Sequence, residues 1–202
     1  MPNVFSRSKA PTQQPSASVT CEWSTARRRA GRGTWATAPQ ANLLSPASAT
    51  HDLLADDPAL AARAAAIRPW VFELSQFIVN VLKVKYLGAR YERPVAYHPS
   101  CHLMRELGVR AEPMTLLSAV AGIKLCAVRD REECCGFGGM FSVKFPDISA
   151  SMLDDKIARI NESGAEVVVA NDCGCLMQIG GGLSRKGEKI EVRHLAQVLA
   201  AR

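Results

Sequence analysis

The sequence lacks several signals that would assign it to common classes of protein. It has no run of about 18 apolar residues, so it predicts no membrane-spanning helix. It has no Gly-x-Gly-x-x-Gly fingerprint, so nothing indicates a bound nucleotide, and the three glycines at 180–182 predict a flexible turn. The apolar segment of a secretory signal is also missing, which together with reduced-type cysteines points to the cytoplasm.

The cysteine pattern lacks the features of three familiar kinds of thiol site. The chain has seven cysteines, an odd number, and it includes the adjacent pair Cys134-Cys135, whose direct bridging would be strained, so a disulfide framework is not expected. No Cys-x-x-Cys occurs near a helix start, as a dithiol redox centre would favour. Paired Cys-x-x-Cys knuckles, typical of structural zinc sites, are absent too.

The positive charge is concentrated near one end of the chain. The net charge is +6, but residues 1–50 hold six Lys or Arg against one acidic residue, Glu22. The remaining residues hold 19 basic and 18 acidic side chains and are therefore almost neutral. A nucleic-acid partner is not expected, because the part of the chain that predicts a fold carries no excess positive charge.

Residues 1–50 differ in composition from the rest. They are rich in Ser, Thr, Ala, Pro, Gln and Arg and show no sustained period of 2 or 3.6. Three interpretations remain open: a disordered basic tail, an organellar transit peptide, or an aberrant segment such as a frame-shift product. Residues 51–202 are expected to form a single cysteine-rich domain.

From residue 51 onward, helix and strand patterns alternate. Helices are predicted at 58–68, 70–82, 114–120, 146–163, 174–179 and 194–201. Strands are predicted at 94–97, 123–128, 166–170 and 189–192. Such alternation is typical of an α/β fold with a mostly parallel sheet flanked by helices.

Five cysteines occur in three groups, and each group follows a predicted strand. Cys101 comes after 94–97, Cys134 and Cys135 come after 123–128, and Cys173 and Cys175 come after 166–170. Because ligands of open α/β sheets gather at the carboxyl ends of the strands, the three groups are expected to form one site there.

An iron–sulfur centre fits this pattern best. Thiolates are soft anionic ligands, and the neighbouring glycines at 136, 138, 139 and 174 would let backbone N–H groups approach sulfide. The other interpretation that the spacing leaves open is a set of inert buried cysteines.

The motifs resemble a known family. The spacing Cys-x(32)-Cys-Cys-Gly-x(36)-Cys-Gly-Cys is similar to the CCG cysteine-rich domain found in heterodisulfide reductases, in the iron–sulfur component of glycolate oxidase and in anaerobic glycerol-3-phosphate dehydrogenases. Three segments more narrowly resemble the lactate-utilization protein A branch. They are Tyr97-His98-Pro99-Ser100-Cys101-His102, the stretch Cys134-Cys135-Gly136-Phe137-Gly138-Gly139-Met140-Phe141-Ser142-Val143-Lys144, and Asp172-Cys173-Gly174-Cys175-Leu176-Met177.

The resemblance implies a function. It implies an iron–sulfur cluster, expected to be 4Fe-4S, in an oxidoreductase subunit that works with partner subunits to oxidise L-lactate or another 2-hydroxy acid. The implied ligands are Cys101, Cys134, Cys135, Cys173 and Cys175. Two other functions stay open: a heterodisulfide-reductase-like thiol/disulfide protein, and an inactive or zinc-binding remnant of the family.

The chain departs from the family pattern at two places. Relatives usually carry two copies of the cysteine motif, and residues 1–50 do not contain the first one. Many relatives also end the motif with Cys-x-x-Cys, whereas here the group is Asp172-Cys173-Gly174-Cys175, which makes Cys175 the firmer ligand of the two.

Six other residues near the motifs have structural and functional interpretations. Cys126 lies in an apolar strand and is expected in the core. His98 and His102 are either hydrogen-bonded structural residues or donors and proton relays near the cluster, and His194 is expected to be structural. Arg105 and Lys144 either face solvent or hold an anionic cluster or substrate.

Overall fold

The computed structural model describes Ala36–Ala38, Leu54 and residues 56–202. Apart from Ala36–Ala38, residues 1–50 and the predictions made for them lie outside the described residues. Ala36–Ala38 form strand β1, which pairs in parallel with strand β2, Val71–Glu73. Helix α1, Pro58–Ile67, comes between these strands in the sequence. At its start the Asp57 side chain accepts hydrogen bonds from the N–H groups of Ala59 and Leu60. Proline in the first turn and an aspartate cap are strong helix-start signals, and this predicted helix is confirmed.

Four parallel strands form the main sheet. They are β3 (Pro94–Tyr97), β4 (Lys124–Cys126), β5 (Val167–Ala170) and β6 (Glu191–His194). Their order across the sheet is β4-β3-β5-β6. β3 and β5 are therefore central, and all four residues of β5 are buried, as expected for a strand covered on both faces.

Helices cover both faces of this sheet. They are α2 (Leu74–Gln76, continued by a π-helical turn, Phe77–Val81), α3 (Glu112–Ser118), α4 (Met140–Lys144), α5 (Pro146–Glu162), α6 (Cys173–Arg185) and α7 (Leu195–Leu199). One hydrophobic cluster contains Val167 and Val169 with residues of α3 and α7. A second contains Val168 with residues of α5 and α6. The alternation along β5 thus places a separate core on each face, and the predicted α/β architecture is confirmed.

Several predicted element boundaries are wrong. Residues 71–73 are not helical, because Val71–Glu73 pair with β1; Trp70 ends a short 3-10 helix, Arg68–Trp70, and the predicted α-helix begins at Leu74. The helix predicted at 174–179 runs from Cys173 to Arg185, so the three glycines at 180–182 lie inside it and form no turn. On α5 the buried apolar residues include Leu153, Ile157 and Ile160, whereas Ile148, near the start of the helix, is exposed.

In the part of the chain that the structure describes, none of the helices has both the length and the apolar character needed to cross a bilayer.

Candidate metal centre

The three cysteine groups lie at the carboxyl edge of the main sheet. Cys101 follows β3, Cys134 and Cys135 follow β4, and Cys173 and Cys175 begin α6 directly after β5. These three strands are neighbours in the order β4-β3-β5, so the loops that leave them emerge side by side. The sheet topology brings together residues that are up to 74 positions apart in sequence.

Four of the five predicted ligands form a continuous series of sulfur contacts. The Cys134 sulfur interacts with the Cys101 and Cys135 thiols, and the sulfurs of Cys135 and Cys175 lie within 4.8 Å of each other. Cys135 and Cys175 are buried, while Cys101 and Cys134 are partly exposed. Cys173 is partly exposed at the first position of α6. No disulfide joins any of the cysteines that the structure describes.

The thiols of this group differ in pKa because they interact with one another. Hydrogen bonds from Cys101 and Cys135 lower the pKa of Cys134 far below its ordinary value. The backbone N–H of Gly136, 3.3 Å from the Cys134 sulfur, favours the same thiolate. Donation to Cys134, together with burial, raises the pKa of both Cys101 and Cys135. Cys134 is therefore the thiol of this group that most readily loses its proton, and the thiolate is the form that binds metals.

Two glycines let the cysteine loops pack closely. Gly136 has a φ of +83°, and a Cβ there would lie 2.5 Å from the carbonyl oxygen of Ser149, so a larger residue is excluded on both grounds. A Cβ on Gly174 would lie 2.7 Å from the ring of Phe137. Phe137 thus packs directly on the first turn of α6 and connects the Cys134–Cys135 loop with the Cys173–Cys175 turn.

Helix starts position Cys101 and Cys175. The Asp172 side chain accepts the N–H of Cys175 at 3.1 Å and caps α6. Ser100 Oγ accepts the N–H of Leu103 at 3.2 Å, at the beginning of the helical turn that follows Cys101. Asp172, directly before Cys173, therefore serves as a helix cap.

The Lys156 side chain holds the segment that leads into Cys134 and Cys135. The residue is 1% exposed, and its Nζ donates to the carbonyl oxygens of Asp130 and Arg131 at 3.4 and 3.1 Å. Burial lowers the pKa of this ammonium group. Sequence reasoning missed Lys156, although the spacing of the buried residues of α5, at 149, 153, 156, 157 and 160, places it on the buried face.

A buried polar network supports the end of β5. Tyr97 Oη donates to Asn171 Oδ1 at 3.1 Å, and Asn171 Nδ2 donates to Glu73 Oε1 at 2.9 Å. His194 Nε2 lies 3.1 Å from the Asn171 carbonyl oxygen, and its Nδ1 accepts the N–H of Ala196, so the structural role predicted for His194 is confirmed. Sequence reasoning did not find Glu73, Tyr97 or Asn171.

The two histidines beside Cys101 have different environments. His102 lies 3.3 Å from Glu106 and is partly exposed. His98 is buried, and neither ring nitrogen has a hydrogen-bond partner among the described residues, so the hydrogen-bonded role considered for it is not observed. Burial lowers the pKa of His98 to about 3, which leaves the ring neutral.

The remaining candidates do not join the group of sulfurs. Arg105 and Lys144 are exposed, in agreement with the solvent-facing interpretation. Cys126 is partly buried on β4, where its sulfur lies 3.9 Å from the carbonyl oxygen of Lys124. It packs against the second hydrophobic cluster, as expected for a core cysteine.

The donor set fits a thiophilic metal or an iron–sulfur cluster. It contains clustered thiols with one stabilised thiolate, a backbone N–H directed at sulfur, and a neutral buried imidazole. Ring or sulfur atoms of His98, Cys135 and Cys175 all lie within 4.8 Å of one another. Sulfur and imidazole donors in such proximity are typical of zinc, copper and iron–sulfur sites.

Comparisons with known proteins point to the same chemistry. The family model "CCG: Cysteine-rich domain" matches residues 95–180. Proteins named lactate utilization protein A are 47% identical over 150 residues in Bacillus licheniformis, 44% over 168 residues in Halalkalibacterium halodurans and 48% over 150 residues in Bacillus subtilis. The matches cover 74%, 83% and 74% of this chain. They span 63%, 69% and 63% of the relatives' own lengths.

Proposed function

Because the chain belongs to the CCG cysteine-rich domain family, in the branch of lactate utilization protein A, we propose that it is an iron–sulfur electron-transfer subunit of a complex that oxidises L-lactate or a related 2-hydroxy acid. The proposed cluster ligands are Cys101, Cys134, Cys135, Cys173 and Cys175. The 4Fe-4S type is part of the proposal, and a cytoplasmic location remains a prediction from thiol chemistry.

One observation carries the proposal: thiols from three separate loops gather at the carboxyl edge of the sheet, where the sulfurs of Cys135 and Cys175 lie within 4.8 Å of each other. A cluster bound there would supply one-electron transfer. The chain's own residues would hold the ligands in place. Gly136 directs its N–H at the Cys134 sulfur, Asp172 caps the helix that carries Cys175, and Lys156 fixes the loop that carries Cys134 and Cys135. Hydrogen bonds to cluster sulfur and burial are the features by which a protein sets the potential.

The proposal assigns lactate oxidation to a complex because the reaction removes two electrons and the sequence carries no flavin or nicotinamide fingerprint. The group that accepts electrons from the hydroxy acid is therefore expected on a partner subunit. Lactate-dependent reduction of a dye by the reconstituted complex, and its loss when this chain is omitted, would support the assignment. Equal turnover without this chain would contradict it.

The cluster itself is tested with the full chain purified without oxygen. We expect about four iron and four sulfide per chain after reconstitution, with visible absorption and an EPR signal on reduction. Cys134→Ser and Cys135→Ser should both lose iron, sulfide and colour. Cys126→Ser is the matched control, because it changes a partly buried cysteine on a neighbouring strand and should keep them all. Unchanged iron and sulfide in both ligand variants would refute the proposal.

The partial exposure of Cys134, next to the Cys101 and Cys135 thiols, favours one second candidate function, thiol–disulfide chemistry. A partly exposed thiolate flanked by two thiols is a nucleophile that can attack a disulfide. Such a protein would reduce a small disulfide with electrons from a reduced dye. Absence of turnover in the cluster-loaded chain would eliminate this function and leave the electron-transfer proposal untouched.

A further inference from the structure

His98 occupies a fixed position next to the sulfur atoms. It follows β3 directly, and its backbone N–H donates to the carbonyl oxygen of Val169 at 2.8 Å, which extends the ladder between β3 and β5 by one residue. Its surface is 4% exposed. Strand pairing and burial therefore leave the imidazole ring little freedom to turn towards solvent.

Both nitrogens of this ring are buried without a hydrogen-bond partner among the described residues. Nearly all buried polar groups in proteins are paired, because an unpaired one destabilises the fold. A water molecule is a poor candidate for the missing partner of the ring nitrogens. The cavity beside the ring is lined largely by the apolar residues Ala96, Val128, Ile160 and Val168. A buried water needs two to four polar partners. Apart from His98, only Tyr97 and Lys156 are polar among the residues that line this cavity, and two of the three N–H donors of the Lys156 ammonium already bind carbonyl oxygens.

The distances suit a metal. A ring nitrogen of His98 and the sulfurs of Cys135 and Cys175 lie within 4.8 Å of one another. Donors around a tetrahedral metal with bonds of about 2.0–2.3 Å are roughly 3.3–3.8 Å apart, so a modest contraction would bring these three to bonding distance. The Cys134 sulfur, which interacts with the adjacent Cys135 thiol, is available as a fourth donor.

We propose that His98 supplies an imidazole nitrogen as a ligand of the metal centre, together with Cys135 and Cys175. The proposal rests on the proposed function only in that the same thiols hold the metal. It extends the ligand set beyond cysteine. Where histidine replaces cysteine on iron, the reduction potential rises, so His98 would make the centre easier to reduce than an all-thiolate one.

The first test uses Co²⁺ alone as a spectroscopic probe of the full chain under anaerobic conditions. His98→Leu should weaken Co²⁺ binding at least tenfold, since even the loss of an outer-shell partner typically costs about 10–100-fold. His102→Leu is the matched control, because His102 is adjacent to Cys101 but partly exposed and beside Glu106. It should leave Co²⁺ affinity unchanged.

The metal-free variant also reports on folding. Because His98→Leu removes an unpaired polar group, the thermal midpoint of the metal-free chain should stay the same or rise. Weaker Co²⁺ binding in a chain of undiminished stability then reflects the lost ligand. Should His98→Leu prove insoluble, His98→Gln carries the same comparison.

The deciding measurement is pulsed EPR on chain labelled with ¹⁵N-histidine, loaded with Co²⁺ or with a reduced iron–sulfur cluster. A nitrogen coupling in either form that disappears in the His98 variant supports the proposal. No coupling in both forms, or a coupling that survives the substitution, overturns it. A chain that assembles no cluster but binds Co²⁺ or Zn²⁺ through His98 would keep this ligand and refute the iron–sulfur function. A chain that assembles the cluster without nitrogen coupling, and whose Co²⁺ form shows none either, would refute the His98 ligand and keep the iron–sulfur function.

Discussion

At the scale of single residues, Lys156 is the side chain whose position has the strongest consequence for the cysteine loops. It lies on α5, outside the loop, yet its ammonium group binds two consecutive carbonyl oxygens a few residues before Cys134. A buried lysine is costly, and its cost is offset here by hydrogen bonds, by the negative charge of Glu133 and, to a smaller extent, by the nearby cysteines. We interpret Lys156 as a positioning residue for Cys134 and Cys135.

We therefore expect Lys156→Met to weaken Co²⁺ binding by roughly tenfold, because the two sulfur ligands are no longer held in place. The free energy of unfolding of the metal-free chain should change by less than about 2 kcal/mol, since lost hydrogen bonds and relieved burial of a charge oppose each other. Metal titration and chemical denaturation measure the two effects. The control is Lys186→Met, because Lys186 is exposed and pairs with Asp154 at 2.9 Å. Equal Co²⁺ affinity in wild type and Lys156→Met would disprove the positioning role.

Residue type and spacing identify some members of the site but not others. The cysteines could be predicted because thiols in three groups after three strands suit few roles apart from binding a metal. Lys156 could not be predicted from residue type, since lysine is almost always exposed, although helical periodicity contained the signal. The bond between Glu73 and Asn171 joins residues 98 positions apart, and no local pattern indicates such a contact.

At the scale of helices and strands, the glycines of α6 show why local propensity alone is misleading. Three consecutive glycines disfavour a helix, and sequence reasoning placed a turn there. Tertiary packing reverses the preference at Gly182, where a Cβ would lie 2.6 Å from Ile157 Cδ1 and 2.8 Å from Leu153 Cδ2. The helix needs a residue without a side chain at this crossing with α5.

Two alanine substitutions separate propensity from packing. Gly182→Ala should destabilise the fold by about 1–3 kcal/mol, because the methyl group overpacks the contact with α5. Gly181→Ala, one residue away, should stabilise it by about 0.5–1 kcal/mol, since its Cβ would meet only the Arg185 guanidinium at 3.6 Å and alanine favours helix. Urea denaturation of both variants measures the difference. Equal effects of the two substitutions would show that packing against Ile157 and Leu153 is not limiting.

The elements that could be predicted are those with strong local signals. The helix at Pro58–Ile67 has an aspartate cap and proline, and β5 is a short run of valines closed by a helix cap. The start of the helix after Trp70 could not be found, because Val71–Glu73 pair with a strand more than 30 residues earlier, and long-range pairing overrides an amphipathic pattern.

At the scale of the whole molecule, the proposed centre connects loops from three adjacent strands. Without metal, the loops are held by sulfur contacts, by Lys156 and by the Ser149 hydroxyl, which donates to the Gly136 carbonyl oxygen at 2.8 Å. A metal would add bonds between positions that are far apart in sequence, and those bonds exist only when the sheet has formed. Metal binding should therefore be coupled to folding.

We predict that a bound metal raises the thermal midpoint of the full chain. A ligand that binds the folded state alone, at a concentration a hundred times its Kd, adds about 2.7 kcal/mol, and for a chain of this size that corresponds to a rise of roughly 5–10 °C. Calorimetry of the full chain with and without Co²⁺, under anaerobic conditions, measures the rise. Cys135→Ser should abolish it, because this sulfur contacts both Cys134 and Cys175, while Cys126→Ser should retain it. The same rise in Cys135→Ser would mean that the metal binds elsewhere, and the three loops would then be joined by packing alone.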